Sequence, residues 1–177
     1  MYPFKTNTLN NGLKFIKIPS TETNLVIIQV FMKLGHDLET KAILETGHFI
    51  EHLFSMFTST KYPDGKINRE NLSFKNIDLD AEIVNKNIKF VLEFHKKHSE
   101  YVIDLLVNSL LDFKIDSCMF KQEKNAVIEE LNEIIKDTDS KFNKKINSII
   151  FKGHQRAYSE EDRLENTKKI TEKEVEK

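Results

Sequence analysis

Gly47-His48-Phe49-Ile50-Glu51-His52-Leu53 is the stretch on which the reading of this chain turns. On an α-helix, positions i, i+3 and i+4 share one face, so His48, Glu51 and His52 project together. Two imidazoles so placed can grip one metal ion, and the carboxylate beside them can reach a water bound to it. The surrounding segment, Lys41 to Phe57, has no proline and one glycine, Gly47, and predicts a helix. Phe49, Ile50, Leu53, Phe54, Met56 and Phe57 spread around most of its circumference, the pattern of a buried helix. His48, Glu51, His52 and Leu44 occupy the remaining sector. Polar side chains on a buried helix need partners, because unpaired ones cost free energy. One metal ion would satisfy all three.

Zinc at a catalytic site usually takes three protein ligands and leaves a position for water. Candidates for the third lie between Asp116 and Asp137, which reads as an amphipathic helix with Phe120, Val127, Leu131 and Ile134 as its apolar stripe. Glu123 and Glu130 fall inside that stripe, seven residues apart and so nearly eclipsed. Glu129 and Glu133 point to the polar side. Burial disfavours a carboxylate in an apolar stripe. Two of them on one face read as a metal ligand plus a carboxylate that supports the ligands. For either one alone, a salt bridge on the helix flank is the alternative.

The order His-x-x-Glu-His reverses the commoner His-Glu-x-x-His and is the sequence mark of the inverzincins. Beyond this motif the chain resembles the N-terminal domain of the insulinase, or pitrilysin, family of zinc peptidases, which includes the mitochondrial processing peptidase. Thr8-Leu9-Asn10-Asn11-Gly12-Leu13 resembles the family's opening strand and Asn-Gly turn. Gly47 to Leu53 is similar to its zinc helix almost residue for residue, and Lys61-Tyr62-Pro63 to the loop that follows. Glu123-Lys124-Asn125-Ala126-Val127-Ile128-Glu129-Glu130 resembles the second helix, and Ile170-Thr171-Glu172-Lys173-Glu174-Val175 a later helix start. The resemblance implies one Zn2+ per chain, held by His48, His52 and Glu130. It implies Glu51 as the general base and Glu123 as the supporting carboxylate. The family's substrate-holding strand, Leu-Asn-Ala-x-Thr, here reads Leu79-Asp80-Ala81-Glu82-Ile83, so Asp80 and Ala81 are the candidate substrate contacts. The glycine of the family's Gly-Thr turn is missing around Phe57 to Thr60. Family members also carry a second, related domain that closes a chamber over the zinc. It has no counterpart in these residues, so a partner chain or self-association is expected.

Composition agrees with one domain over residues 1–177. Hydrophobic residues make up 39% and charged residues 31%, enough for a core under a highly charged surface. A net charge of −1 makes no case for nucleic acid or an anionic membrane. A single cysteine, Cys118, excludes an internal disulfide and fits a cytoplasmic or other reducing compartment. No apolar run approaches the roughly 20 residues of a membrane span, and Met1-Tyr2-Pro3-Phe4-Lys5 lacks the features of a signal or transit peptide.

The expected fold class is α/β in the α+β sense: a mostly antiparallel sheet, complete or incomplete, packed against helices. Asn11-Gly12 predicts a tight hairpin between Lys5–Leu9 and Leu13–Ile18. Asn24–Leu34, rich in Val and Ile, predicts a buried strand. Tyr62-Pro63-Asp64-Gly65 predicts a turn, 68–75 a short helix, and 79–84 with 88–95 a strand pair. Helices are expected over 99–113 and 140–152, the latter with an apolar stripe of Phe142, Ile146, Ile149 and Ile150 and ended by Gly153. Residues 155–177 read as a polar, weakly patterned tail. His36, His95, His98 and His154 lack ligand spacing and read as turn or surface residues.

Two functions from different classes follow. One is a zinc metalloendopeptidase acting on peptides or unfolded protein through a water activated by zinc and Glu51. The other is a metal-binding, weakly active or inactive interaction subunit that needs a partner chain to complete the site.

Overall fold

The computed structural model describes residues 3–175. Gly12, at φ 86°, turns the chain between β1 (Lys5–Thr8) and β2 (Lys14–Lys17), a hairpin with no buried residue in either strand. The main sheet has three antiparallel strands in the order β3 (Leu25–Met32), β5 (Asn87–His95), β4 (Asp78–Val84). Alternation along β5 decides what this sheet buries: Ile88, Phe90, Leu92 and Phe94 all turn inward. The register sets Val26, Ile28, Val30 and Met32 of β3 beside them, and Leu79, Ala81 and Ile83 of β4 on the other side. Asp80 and Glu82 pair with Val91 and Lys89 on the opposite face.

β3 departs from the sequence expectation. It is an edge strand covered on one face, and Leu25, Ile27 and Phe31 are exposed. A run of Val and Ile cannot by itself distinguish a strand buried on both faces from one whose outer face is left apolar.

Seven helices occupy the rest of the described residues: α1 (Thr46–Phe54), α2 (Gly65–Phe74), α3 (Ser99–Leu111), α4 (Ser117–Lys136), α5 (Thr138–Ile150), α6 (Glu160–Lys169) and α7 (Glu172–Val175). α1 is shorter than the segment from Lys41 to Phe57 because both flanks carry left-handed residues, Glu45 at φ 69° and Phe57 at φ 52°. Residues 41–43 form a separate 3-10 turn. α2 starts at Gly65, ahead of the expected Asn68, because the Asp64 carboxylate accepts from Ile67 N at 3.0 Å and caps it. α4 matches its sequence bounds, with Asp116 capping its start and Asp137 following its end.

Two apolar clusters share α1. Phe54 joins Phe57, the inward residues of β5, and Val102, Leu105 and Leu106 of α3. Phe49 and Leu53 join Met119, Phe120, Val127 and Leu131 of α4. The Phe49 and Phe120 rings meet edge to face at 5.0 Å. The helix with the histidine motif is thereby clamped between sheet and α4. Ile134, expected in the buried stripe of α4, is exposed, as are Phe142, Ile149 and Ile150 of α5.

The expected polar tail is largely helical. Ser159 and Asp162 form a capping box at the start of α6, which packs on α4, with Arg163 and Thr167 buried. Beside Leu164, its inner face is held by Arg163 on Glu45 and Asn166 on the Leu44 carbonyl, polar contacts that apolar periodicity cannot register. No helix among the described residues is long and apolar enough to cross a membrane.

Phe49→Ala should cost about 3–5 kcal/mol in equilibrium chemical denaturation, since it empties a fully buried site between α1 and α4. Ile149→Ala, at a side chain 69% exposed, should stay within about 0.5 kcal/mol of the parent. Equal losses from the two changes would contradict this packing.

Candidate metal centre

α1 sets the His48 and His52 rings 4.9 Å apart, nearly perpendicular. α4 lies across from them and supplies two carboxylates. The Nε2 atoms of His48 and His52 lie 3.3 and 3.6 Å from the same oxygen, Glu130 Oε2. Both Nδ1 atoms point elsewhere, His48 to Glu45 Oε2 at 2.9 Å and His52 to Glu123 Oε2 at 3.2 Å. An ionised carboxylate only accepts, so each Nδ1 carries the proton of its bond. In the neutral ring the Nε2 lone pair then faces Glu130, the form of imidazole that binds a metal.

This donor set fits zinc. His48, His52 and Glu130 each offer one atom, all within 4.8 Å of one another. Ligand atoms about 2.0–2.1 Å from a tetrahedral ion are roughly 3.4 Å apart, close to the two Nε2–Oε2 separations. Three donors leave one position open, and the Glu130 side chain is 49% exposed, so solvent reaches that side.

Glu51, one residue before His52, lines a cleft of about 700 Å3 together with His48, Glu45, Arg163 and the β4 residues Ala81, Glu82 and Ile83. Its carboxylate makes no hydrogen bond or ion pair within the described residues. Burial raises its pKa, against the opposing pull of His48 and His52.

The sequence reading did not include the carboxylates beneath His48. Glu45 is 2% exposed. Its Oε1 accepts from Arg163 Nη1 and its Oε2 faces His48 Nδ1. Burial pushes its pKa up, but the hydrogen bond from His48 and the charge of Arg163 outweigh that and hold it at about 2. Burial also opposes a charge on His48, yet the bond to Glu45 and the surrounding carboxylates raise its pKa. Glu39 Oε1 accepts from Gly47 N at 2.9 Å. Gly47 has no room for a side chain: a Cβ there would stand 2.3 Å from the Leu34 carbonyl oxygen. One signal of this layer is legible in the sequence, the i, i+3 spacing of Glu45 and His48. Arg163, more than a hundred positions away, has none.

Thus His48, His52, Glu123 and Glu130 come together, with Glu51 and Ala81 on the adjoining cleft. Asp80 does not line the cleft and sits on the other face of the sheet. His36 Nδ1 faces Glu39 Oε2 at 3.2 Å, and His36, Glu39 and Glu45 form a second group of possible metal donors. Arg163 already stands there as the cation, with Nη1 3.7 Å from Glu39. His95 and His154 use Nδ1 to accept from the backbone N–H of Lys97 and Arg156.

An α+β domain with a three-donor centre between two helices is thereby defined. The family described as Insulinase (Peptidase family M16) matches residues 15–176, and the chain belongs to that family. The chain is 27% identical over 127 residues to the uncharacterized zinc protease YmxG of Bacillus subtilis (strain 168), covering 72% of this chain and 31% of that one. It is 23% identical over 170 residues to cytochrome b-c1 complex subunit 1, mitochondrial, of Bos taurus, covering 94% and 34%. It therefore spans about a third of the length of these two curated relatives. The crystal structure of a protease from Helicobacter pylori has the same fold, with a TM-score of 0.86 at 14% identity over 99% of this chain and 42% of that one.

The lowered pKa of Glu45 has a definite sign in stability. Its contribution is fully present above the ordinary value of 4.5 and is lost as the pH falls toward about 2. In the metal-free chain Glu45 should account for a loss on the order of 3 kcal/mol across that window, and Glu45→Gln should remove it. Denaturation at a series of acid pH values checks this. Parallel acid limbs for the parent and Glu45→Gln would show that Glu45 is not held ionised.

Proposed function

We propose that this chain is the zinc-binding domain of a metalloendopeptidase, with His48, His52 and Glu130 as ligands and Glu51 as general base. The observation that carries the reading is the convergence of two imidazole Nε2 atoms on one carboxylate oxygen, each ring backed at Nδ1 by another carboxylate. Membership of a peptidase family supports it. Zinc bound there would acidify a water and polarise the scissile carbonyl. Glu51 takes the water's proton and passes it to the leaving amine; its raised pKa brings it nearer to the neutral range where a carboxylate can do both. Glu123 holds His52 in orientation through Nδ1. An extended peptide or unfolded segment binds beside β4, whose outer edge carries no strand among the described residues, with Ala81 on the cleft side. Asp80, on the other face, serves at most the peptide's outward side chains. The exposed, free Cys118 supports a reducing compartment.

A second reading, a metal-binding interaction subunit that needs another chain, draws on the match to a subunit of the cytochrome b-c1 complex. Exposed apolar residues support a partner or self-association in either reading: Ile16 and Ile18 near the hairpin, Phe31 on β3, and Phe142 and Ile150 on α5.

Elemental analysis should find about one zinc per chain. Glu51→Gln should keep the metal and abolish peptidase activity, whereas Glu130→Gln should bind zinc far more weakly, because an amide is a poorer ligand than a carboxylate. Normal affinity in Glu130→Gln with loss in Glu129→Gln or Glu133→Gln would overturn the assignment on α4.

Alone, the chain should cleave quenched peptides slowly or not at all. Substrate orientation can be worth about 7–11 kcal/mol of barrier in the best cases, and this centre is open to solvent at Glu130. Cleavage by the isolated monomer at rates of about 1–1000 per second would favour a self-sufficient peptidase over a subunit that needs another chain.

A further inference from the structure

Glu45 combines two unfavourable features. Its backbone is left-handed, φ 69° and ψ 2°, a conformation that costs a non-glycine residue on the order of 1 kcal/mol or more. Its carboxylate is buried, which is costly without partners. A glycine would remove both costs. The partners show what the carboxylate does instead. Its carbonyl accepts the first hydrogen bond of α1, from Phe49 N at 3.0 Å. One carboxylate oxygen is held by Arg163 from α6, and the other faces His48 Nδ1. Arg163 is itself anchored: it is buried, 3.7 Å from Glu39 and, through Nε, 3.6 Å from Glu160. Glu39 in turn accepts from Gly47 N, so the guanidinium and the turn before α1 form one braced unit. The Glu45 carboxylate cannot swing away from His48 without giving up the shortest of the ion pairs of buried Arg163.

We infer that Glu45, braced by Arg163, is a positioning residue that fixes the ring orientation and tautomer of His48, so that its Nε2 is presented to the ion. This rests on the metal-centre reading above. It makes the two histidines equivalent in design: His52 is aimed by Glu123 from α4, and His48 by Glu45 from its own helix start. α6 becomes part of the centre, although none of its side chains supplies a ligand.

The test uses the whole chain and zinc ion as the probe. Glu45→Gly and Glu45→Asn both tolerate the left-handed backbone, and neither reaches His48 as Glu45 does. Glu45→Gln keeps an acceptor oxygen at the same reach. Zinc affinity is measured by competition with a chromophoric chelator. The His48 tautomer is read from imidazole nitrogen shifts of the metal-free chain at mildly alkaline pH, and folding is checked by circular dichroism. Glycine and asparagine should weaken zinc binding by about 10–100-fold and remove the Nδ1–H tautomer preference, while glutamine should recover most of the affinity. A role confined to holding Arg163 would change the unfolding midpoint and leave affinity and tautomer alone. Parent-like zinc affinity in a folded Glu45→Gly or Glu45→Asn chain overturns the inference. A parent chain that takes up no zinc overturns the metal-centre reading itself, a distinct result.

Discussion

The contact of α1 with α4, fixed by Phe49 against Phe120, is the constraint on which the candidate centre depends. Phe49 and Leu53 lie on one side of α1 and Phe54 reaches the sheet core on another. That leaves His48 and His52 only the sector toward α4 and the cleft. On α4, Val127 and Leu131 hold the apolar contact, while Glu123 and Glu130 flank it one heptad apart. Because 3.6 residues make a turn, such a pair recurs on nearly the same side, and the two carboxylates meet different nitrogens of the histidine pair. The hydrophobic packing supplies the precision, since neither imidazole could be placed to within tenths of an ångström by a loop.

Electrostatics then explains why the site favours a cation. Glu45, Glu51, Glu123 and Glu130 gather around two imidazoles, and among the described residues the only buried permanent positive charge is Arg163, on the far side of Glu45. In the metal-free chain part of the imbalance falls on His48, whose pKa rises despite burial. A divalent ion between the Nε2 atoms and Glu130 would relieve it more completely and would compete with that proton, as metal binding at imidazole does. The second acidic group, formed by His36, Glu39 and Glu45, is balanced differently. A fixed guanidinium from α6 already serves as its cation.

Much of this was legible in the sequence because it is written at helical spacing. His48, Glu51 and His52 share a face by count alone, and Asp116 and Asp137 marked both ends of α4. The hairpin at Gly12 and the β4–β5 pair followed from turn residues and alternation. Three things were not legible, for physical reasons. The exposed outer face of β3 is as apolar as a buried one, so composition cannot place it. The ends of α1 are set by left-handed Glu45 and Phe57, residue types that carry no such signal. α6 is tied to the turn before α1 by Arg163 and Asn166, polar side chains that read as solvent-facing until their partners, Glu45 and the Leu44 carbonyl, are known.

The same distinction separates the metal centre from the peptidase that would use it. The groups proposed to hold and orient an ion are local: they come from α1, α4 and the α6 brace, where Glu45 and Glu123 partner the histidines and Arg163 partners Glu45. The groups that would hold a substrate are not saturated. Among the described residues β4 has an unpaired edge, the cleft is wide and open to solvent, and apolar side chains on β3 and α5 stand uncovered. Binding an ion needs only a few donors at fixed separations, which a single pair of packed helices can supply. Orienting an extended peptide needs walls on both sides of it, and here one wall, the sheet edge beside α1, is evident. In the proposed reading, metal affinity and turnover would therefore depend on different surfaces of this domain, and a change that completes the second need not touch the first.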